Sequence, residues 1–125
     1  MSLIRSKNTK PELLVRHLVY SLGYRYRLHR RDLPGVPDLV FPRSRSVIFV
    51  HGCFWHHHAG CRKARTPKSR LSYWKPKLEL NSKRDKENVR TLLRDGWKVL
   101  VIWECQLGHS ARLQQRIIRF LERDD

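Results

Sequence analysis

Asp38-Leu-Val-Phe-Pro-Arg-Ser-Arg-Ser-Val-Ile-Phe-Val-His51 is the stretch of sequence that decides the fold, because it places two short apolar runs on either side of a polar turn. Residues 38–41 and 46–50 are rich in the β-branched and aromatic side chains that strands favour. Residues 42–45 have the composition of a loop, with a proline, a serine and two arginines. The stretch therefore predicts a β-hairpin with its loop near residues 43–45.

Polar side chains gather at the open end of this hairpin. If Phe41 pairs with Val47, then Asp38 lies opposite Val50. A slip of one or two residues still leaves Asp38 at the end of the sheet where the second strand continues into His51. We therefore expect the Asp38 carboxylate to lie close to Val50, to His51 and to the residues that follow them.

Three segments outside the hairpin have the spacing of helices. The first begins at Thr9, with Glu12 three residues later as in a capping box, and ends at Gly23. Residues 77–94 predict a strongly charged helix, and residues 111–121 predict an amphipathic one. The apolar positions are Leu14, Val15, Leu18, Val19 and Leu22 in the first helix, Leu78, Val89, Leu92 and Leu93 in the second, and Leu113, Ile117, Ile118 and Leu121 in the third.

Two further segments complete the predicted sheet. Residues 24–29 alternate as a half-buried strand does, and residues 97–103 form an apolar strand of the buried type. Residues 62–76, between the hairpin and the second helix, are basic and rich in turn formers. A strand, a helix and a second strand in succession favour parallel pairing with the carboxyl ends together. The predicted fold is a single α/β domain over residues 1–125, with a central mixed sheet flanked by helices.

The charge of the chain points to a polyanionic partner. The 27 lysines and arginines outnumber the 11 acidic residues, which gives a formal net charge of +16 spread along the whole length. Nucleic acid suits this balance best, because lysine and arginine release condensed counterions when they neutralise phosphates. The alternative is a basic surface that serves only solubility. No run approaches the roughly 20 apolar residues of a membrane helix, and no signal peptide is recognisable, so we expect a cytoplasmic protein.

The nine residues from Cys53 to Cys61 combine two thiols with three imidazoles, the usual ligands of zinc. The parallel strand pairing predicted above brings Cys105 beside Cys53. These three thiolates and one of the histidines at positions 56, 57 and 58 would complete a closed, structural Cys3His site. The alternative is that Cys105 is a small buried hydrophobe and that the histidines are solvated.

Asp38 follows Pro37, as in the first half of a PD-(D/E)xK nuclease motif, whereas the second half of that motif is missing. A Mg²⁺ ion bound here would rest on Asp38, a backbone carbonyl near Val50, phosphate and water. His51 and the histidines that do not bind zinc can activate water or protonate the leaving oxygen. Glu12 can orient a histidine or a metal-bound water. Asp38 as a turn terminator and Glu12 as a cap are the competing interpretations.

Aromatic side chains in the basic region suggest how DNA would be contacted. Phe54 and Trp55 lie in the cysteine-histidine loop and supply rigid apolar planes of the kind that wedge between base steps. Trp74, in a basic segment, is a third candidate. A small satellite core beneath the loop is the alternative for these residues.

Four motifs together resemble the very short patch repair (Vsr) mismatch endonucleases. The motifs span about the first 105 residues in family order, and the run from His51 to His58 is highly specific. They are Arg5-Ser-Lys-Asn8, Leu33-Pro-Gly-Val-Pro-Asp38, Val47-Ile-Phe-Val-His-Gly-Cys-Phe-Trp-His-His-His58 and Gly96-Trp-Lys-Val-Leu-Val-Ile-Trp-Glu-Cys105. The resemblance implies a restriction-endonuclease-like fold and a strand-specific nick on the 5′ side of the thymine in a T·G mismatch.

The resemblance also implies a role for each candidate residue. Asp38 would bind Mg²⁺ together with the Val50 carbonyl, and the hydrolytic water would be activated by His56 with support from His51 and Glu12. Structural zinc would be held by Cys53, His58, Cys61 and Cys105. Phe54, Trp55 and Trp74 would intercalate beside the mismatch. Double-stranded DNA would be the partner of a monomeric enzyme, with mismatch-repair proteins and a repair polymerase as further partners and with the nucleoid as its place of action. A zinc-stabilised DNA-binding protein and a nuclease of undamaged duplex are the rival functions.

Overall fold

The computed structural model describes residues 9–53 and 71–122, and these residues form a mixed sheet with helices on both faces. The helices are α1 (Lys10–Ser21), α2 (Leu71–Arg94) and α3 (Ser110–Leu121). The strands are β1 (Arg27–Leu28), β2 (Leu39–Phe41), β3 (Ser46–His51) and β4 (Lys98–Trp103), in the spatial order β1-β2-β3-β4. A 3-10 turn, Glu104–Gln106, follows β4.

The predicted hairpin is confirmed, with a register one residue away from the predicted one. Phe41 pairs with Ser46 instead of Val47, and Leu39 pairs with Ile48. Ser46 is fully buried, and its hydroxyl donates a hydrogen bond to the Ser44 carbonyl at 3.1 Å. This local bond lets a polar side chain occupy the first ladder position, so the strand begins at the serine.

The parallel pairing of β3 with β4 is also confirmed. It runs without interruption from Ser46 opposite Lys98 to His51 opposite Trp103. Both strands therefore end at the same edge of the sheet. The shared edge matters because His51, Cys53 and Cys105 lie at it or just beyond it.

Two apolar clusters fix the helices on the sheet. One joins α1 and α3 to the side chains of Leu39, Ile48 and Val50. The other joins α2 to Val47 and Phe49, the alternate residues of β3. The described part of the chain is thus a three-layer α/β/α arrangement, which confirms the predicted α/β class.

The helices differ from prediction in their exposed positions and in one boundary. Leu14 in α1 and Leu93 in α2 were predicted on buried faces, but they are 53% and 55% exposed. Helix α2 begins at Leu71, so residues 71–76 are helical rather than turn-rich. Pro76 lies in the second turn, where its missing N–H removes one backbone hydrogen bond. Within residues 9–53 and 71–122, no helix has the length and apolar content needed to cross a membrane.

Candidate active site

Asp38 lies immediately before β2 and is 9% exposed. The ladder between β2 and β3 ends at Leu39 and Ile48, so β3 continues past its partner. The Asp38 carboxylate takes the place of the missing strand, because its Oδ2 accepts a hydrogen bond from the Val50 N–H at 2.7 Å. The predicted proximity of Asp38 and Val50 is confirmed.

Glu12 comes to the same place from helix α1 and is 1% exposed. Its backbone N–H donates to the Thr9 hydroxyl at 3.4 Å, so the predicted N-cap is present. Its carboxylate is directed into the protein, where Oε2 accepts a hydrogen bond from Arg16 Nε at 3.0 Å and lies 2.8 Å from His29 Nε2. Glu12 therefore belongs to the site, in addition to its place in the first turn of α1.

His29 was not predicted as a site residue. It directly follows β1, and the pairing of Leu28 with Leu39 continues outward to place His29 beside Asp38. Its backbone is left-handed, with φ of +47°, and its side chain is 14% exposed. The sequence alone carried no clear signal for His29, because its place beside Asp38 depends on the register of a ladder that comprises only two residue pairs.

Glu12, His29 and Asp38 form a compact group. Each offers one ligand atom, and these atoms all lie within 4.8 Å of one another. The pKa of Asp38 is raised from its ordinary value of 3.8 to about 7, mainly by burial and in smaller part by the neighbouring Glu12 carboxylate. The hydrogen bond from Val50 and the positive charge of Arg16 act in the opposite direction. Two buried carboxyl groups in contact repel one another when both are ionised, and a divalent cation would remove that repulsion.

His51 is the next residue along β3 after Val50, and it is 5% exposed. Its ring packs against Trp103 at 5.1 Å between centroids and against Phe49 at 5.5 Å. These two contacts hold the imidazole on the α2 side of the sheet. His51 is thus fixed at the strand end, one residue beyond the N–H that binds Asp38.

Cys53 and Cys105 follow the ends of the parallel strands. Cys53 is fully buried, and Cys105 is partly buried within the 3-10 turn. Between the two segments, a Cβ built on Gly52 would lie 4.0 Å from Glu104 Oε1. The residues that precede the two cysteines are therefore neighbours, in agreement with the predicted juxtaposition.

Trp74 lies in the first turn of α2 and is partly exposed. Its ring meets that of Tyr73 edge to face at 5.0 Å, and the Lys77 ammonium lies 5.0 Å from the centre of the Tyr73 ring. This aromatic pair, with a cation beside it, is a surface feature of the kind that nucleic acid can contact. The other predicted aromatic and loop residues, Phe54, Trp55, His56, His58 and Cys61, lie outside the described residues.

Comparison with known proteins identifies the family. The model of the DNA mismatch endonuclease Vsr family matches residues 1–63. The chain belongs to the Vsr family. It is 54% identical over 122 residues to the type II nicking enzyme V.XorIIP of Xanthomonas oryzae pv. oryzae, an alignment that covers 98% of this chain and 89% of that protein.

Two further relatives place the chain within the same family. It is 42% identical to the type II nicking enzyme V.NmeAIP of Neisseria meningitidis over 94% of this chain and 84% of that protein. It is 39% identical to the DNA mismatch endonuclease Vsr of Escherichia coli over 90% of this chain and 72% of that protein. The chain is therefore a DNA endonuclease, and the α/β/α arrangement is consistent with a restriction-endonuclease-like fold.

In a Vsr-family endonuclease, the group formed by Glu12, His29 and Asp38 has the chemistry of a metal site. Carboxylate oxygens are the preferred ligands of hard divalent cations, and imidazole nitrogen widens the range to transition metals. Glu12 and Asp38 are buried and His29 is partly buried, and the three side chains are positioned by helix α1, the end of β1 and the turn before β2. The residues present fit a divalent cation, which would offset the negative charge of the two neighbouring carboxylates.

Proposed function

We propose that this protein nicks one strand of duplex DNA on the 5′ side of the thymine in a T·G mismatch, by Mg²⁺-dependent hydrolysis of a phosphodiester. The observation that carries the proposal is the buried contact of Asp38 with Glu12 at the open end of the hairpin. Membership of the mismatch endonuclease family supports the mismatch as the substrate. The formal net charge of +16 supports duplex DNA as the partner.

The catalytic roles follow from what each residue can donate or accept. Asp38 would hold Mg²⁺ together with the Val50 carbonyl, and a bound Mg²⁺ supplies polarisation of the phosphate and stabilises the charge that develops on it. His56 would take a proton from the attacking water, and His51 would supply a second imidazole at the strand end. Glu12 would accept hydrogen bonds from water near the cation while Arg16 balances its charge.

Structural zinc is proposed on Cys53, His58, Cys61 and Cys105. The buried position of Cys53 supports the pairing of these two segments, as does the distance of 4.0 Å from a Cβ built on Gly52 to Glu104 Oε1. A closed thiolate site would fix the loop after β3 to the end of β4. That attachment would hold the loop that carries His56 against the sheet.

Contact with the lesion is proposed through Phe54, Trp55 and Trp74, which would wedge between base steps beside the mismatch. The pairing of Trp74 with Tyr73 on the surface of α2 supports this role for one of the three. A mismatched pair is easier to unstack than a matched one, so inserted aromatics discriminate by the energy of deformation.

We further propose one catalytic domain per chain, action as a monomer at the nucleoid, and functional links to mismatch-repair proteins and a repair polymerase.

The test is a nicking assay with end-labelled duplexes that differ only in one T·G or one T·A pair. With Mg²⁺ we expect a single cut on the thymine strand of the mismatched duplex, and no cut when the divalent cation is left out. Asp38→Ala should lower the rate by at least about a thousandfold, because it removes a metal ligand from the reaction centre. Binding to the same duplex should persist.

Asp32→Ala is the matched control, because Asp32 is an exposed carboxylate six residues upstream that pairs with Arg30 in the same connection. Its rate should remain within about twofold of wild type. Wild-type protein that binds but never nicks with Mg²⁺ would indicate a DNA-binding protein without catalysis. Equal cutting of the matched duplex would instead indicate a nuclease of undamaged DNA.

A further inference from the structure

His29 lies in the site, but the proposed reaction gives it no role. Its imidazole Nε2 lies 2.8 Å from Glu12 Oε2, and its side chain is 14% exposed. Arg16 already provides Glu12 with a charged donor at 3.0 Å. The charge of the Glu12 carboxylate is thus balanced without the histidine.

The backbone at this position is held in the left-handed conformation, which residues other than glycine adopt infrequently. A φ of +47° is left-handed, and such a conformation costs a residue with a Cβ on the order of 1 kcal/mol or more. Glycine or asparagine would adopt it at lower cost. Placing an imidazole here therefore costs stability, which suggests that the imidazole itself is used.

The chemistry of the three side chains indicates what the imidazole does. His29, Glu12 and Asp38 present one nitrogen and two carboxylate donors within 4.8 Å of one another. A hydrogen bond to Glu12 alone would need only an amide side chain. Imidazole differs from an amide because its ring nitrogen is a good ligand for transition metals, whereas Mg²⁺ strongly prefers oxygen.

We propose that His29, Glu12 and Asp38 together form a cation site that binds Mn²⁺ more tightly than Mg²⁺ because of the imidazole nitrogen. The inference rests on the proposed function in one respect, namely that Asp38 holds the catalytic cation. It adds to that site the His29 nitrogen, the Glu12 carboxylate as a direct ligand instead of a partner of metal-bound water, and a metal preference. Mn²⁺ accepts both oxygen and nitrogen donors in the same coordination sphere, so the three side chains suit it.

The test measures metal binding and does not depend on turnover. Free Mn²⁺ is counted by electron paramagnetic resonance while it is titrated into full-length protein without DNA, and Mg²⁺ is then added as a competitor. Zinc on cysteine thiolates does not interfere, because zinc binds such sites more tightly than Mn²⁺ does. Zinc content is measured in every sample to confirm this.

His29→Gln is the informative variant, since glutamine keeps a donor for Glu12 and replaces the ring nitrogen by an amide oxygen. We expect the preference for Mn²⁺ over Mg²⁺ to fall by about tenfold or more. His29→Asn, which tolerates the left-handed backbone, should give the same change and serves if the glutamine variant folds poorly. His17→Gln, at an exposed position of α1, is the control and should leave the preference unchanged.

Two results overturn the proposal. If the affinities for Mn²⁺ and Mg²⁺ fall by the same factor, His29 only positions Glu12. If neither affinity changes, His29 lies outside the metal site. Failure of the nicking reaction is a separate result, because wild-type protein that shows the His29-dependent preference without nicking would contradict only the proposed function.

Discussion

The Asp38 carboxyl is subject to opposing influences at the scale of a single residue. Burial and the adjacent Glu12 carboxylate favour its protonated form, whereas the hydrogen bond from the Val50 N–H and the charge of Arg16 favour its ionised form. Burial dominates, and the pKa rises from 3.8 to about 7. The ionised form of this buried carboxyl group lowers the stability of the metal-free protein. The same negative charge makes the group a strong ligand for a divalent cation.

The raised pKa predicts a pH-dependent stability of the metal-free protein. The unfolded chain releases the Asp38 proton near pH 4, while the folded protein retains it up to a pKa of about 7. Between these values the folded state binds more protons, so the free energy of unfolding falls as the pH rises. The contribution of protonated Asp38 to the free energy of unfolding is fully present below about pH 4 and is lost above about pH 7. Its size is on the order of a few kcal/mol.

Asp38→Asn isolates this contribution, since asparagine resembles the protonated acid. Urea unfolding without added divalent cation should show the variant more stable than wild type at about pH 8, with the difference vanishing near pH 4. Mg²⁺ added at the higher pH should stabilise wild type and leave the variant nearly unchanged. A difference between the two proteins that stays constant with pH would contradict the prediction.

Asp38 was predictable from the sequence and His29 was not, for a physical reason. Asp38 ends a rigid proline-rich turn and begins an apolar run, so its place at the end of the sheet follows from the hairpin alone. His29 depends on how β1 pairs with that hairpin, and the pairing comprises only two residue pairs. A short ladder after an alternating basic segment leaves no periodic signal strong enough to set the register.

At the scale of elements, the turn between β1 and β2 determines where Asp38 lies. Gly35 has a φ of +76°, and a Cβ added to it would lie 3.0 Å from Asn88 Nδ2 and 3.1 Å from Phe49 Cε1. The turn thus packs directly onto α2 and β3. Its glycine is needed both for the left-handed backbone and for the close approach to these elements.

Gly35→Ala should therefore destabilise the protein by about 2–4 kcal/mol, from backbone strain and steric overlap together. Gly23→Ala is the matched control: Gly23 has a φ of +97°, and nothing lies within 4 Å of an added Cβ. It should show the strain alone, about 1–2 kcal/mol. Thermal and urea unfolding of both variants check the prediction, and equal losses would show that the contact with Asn88 and Phe49 yields easily.

The elements themselves were largely predictable, and the deviations have local causes. The hairpin and the parallel pairing follow from strong apolar runs. The register moved by one residue because buried Ser46 bonds to Ser44 and occupies a ladder position that the pattern gave to valine. Helix α2 includes Pro76, although the proline removes one backbone hydrogen bond, and the predicted helix began only after it.

At the scale of the whole molecule, the two faces of the sheet are covered by different helices. Helices α1 and α3 cover one face and α2 covers the other, while the ends of β3 and β4 share one edge. Glu12, His29 and Asp38 come from a helix, a strand end and a turn, so the site exists only when these elements have assembled. The basic residues are distributed over the whole chain, so we expect the attraction to DNA to depend on the net charge of the molecule and not on one local cluster.

This charge predicts a steep salt dependence of DNA binding. With 27 basic residues against 11 acidic ones, contact with six to ten phosphates is a reasonable expectation, and affinity should then fall by about 10³ to 10⁵ between about 50 and about 200 mM salt. Phosphate contacts are shared by matched and T·G duplexes, whereas deformation at the lesion is not. Plots of log affinity against log salt for the two duplexes should therefore be steep and parallel, offset by the preference for the mismatch. Fluorescence anisotropy without divalent cation measures both lines, and a nearly flat slope would mean that the net charge serves solubility instead of binding.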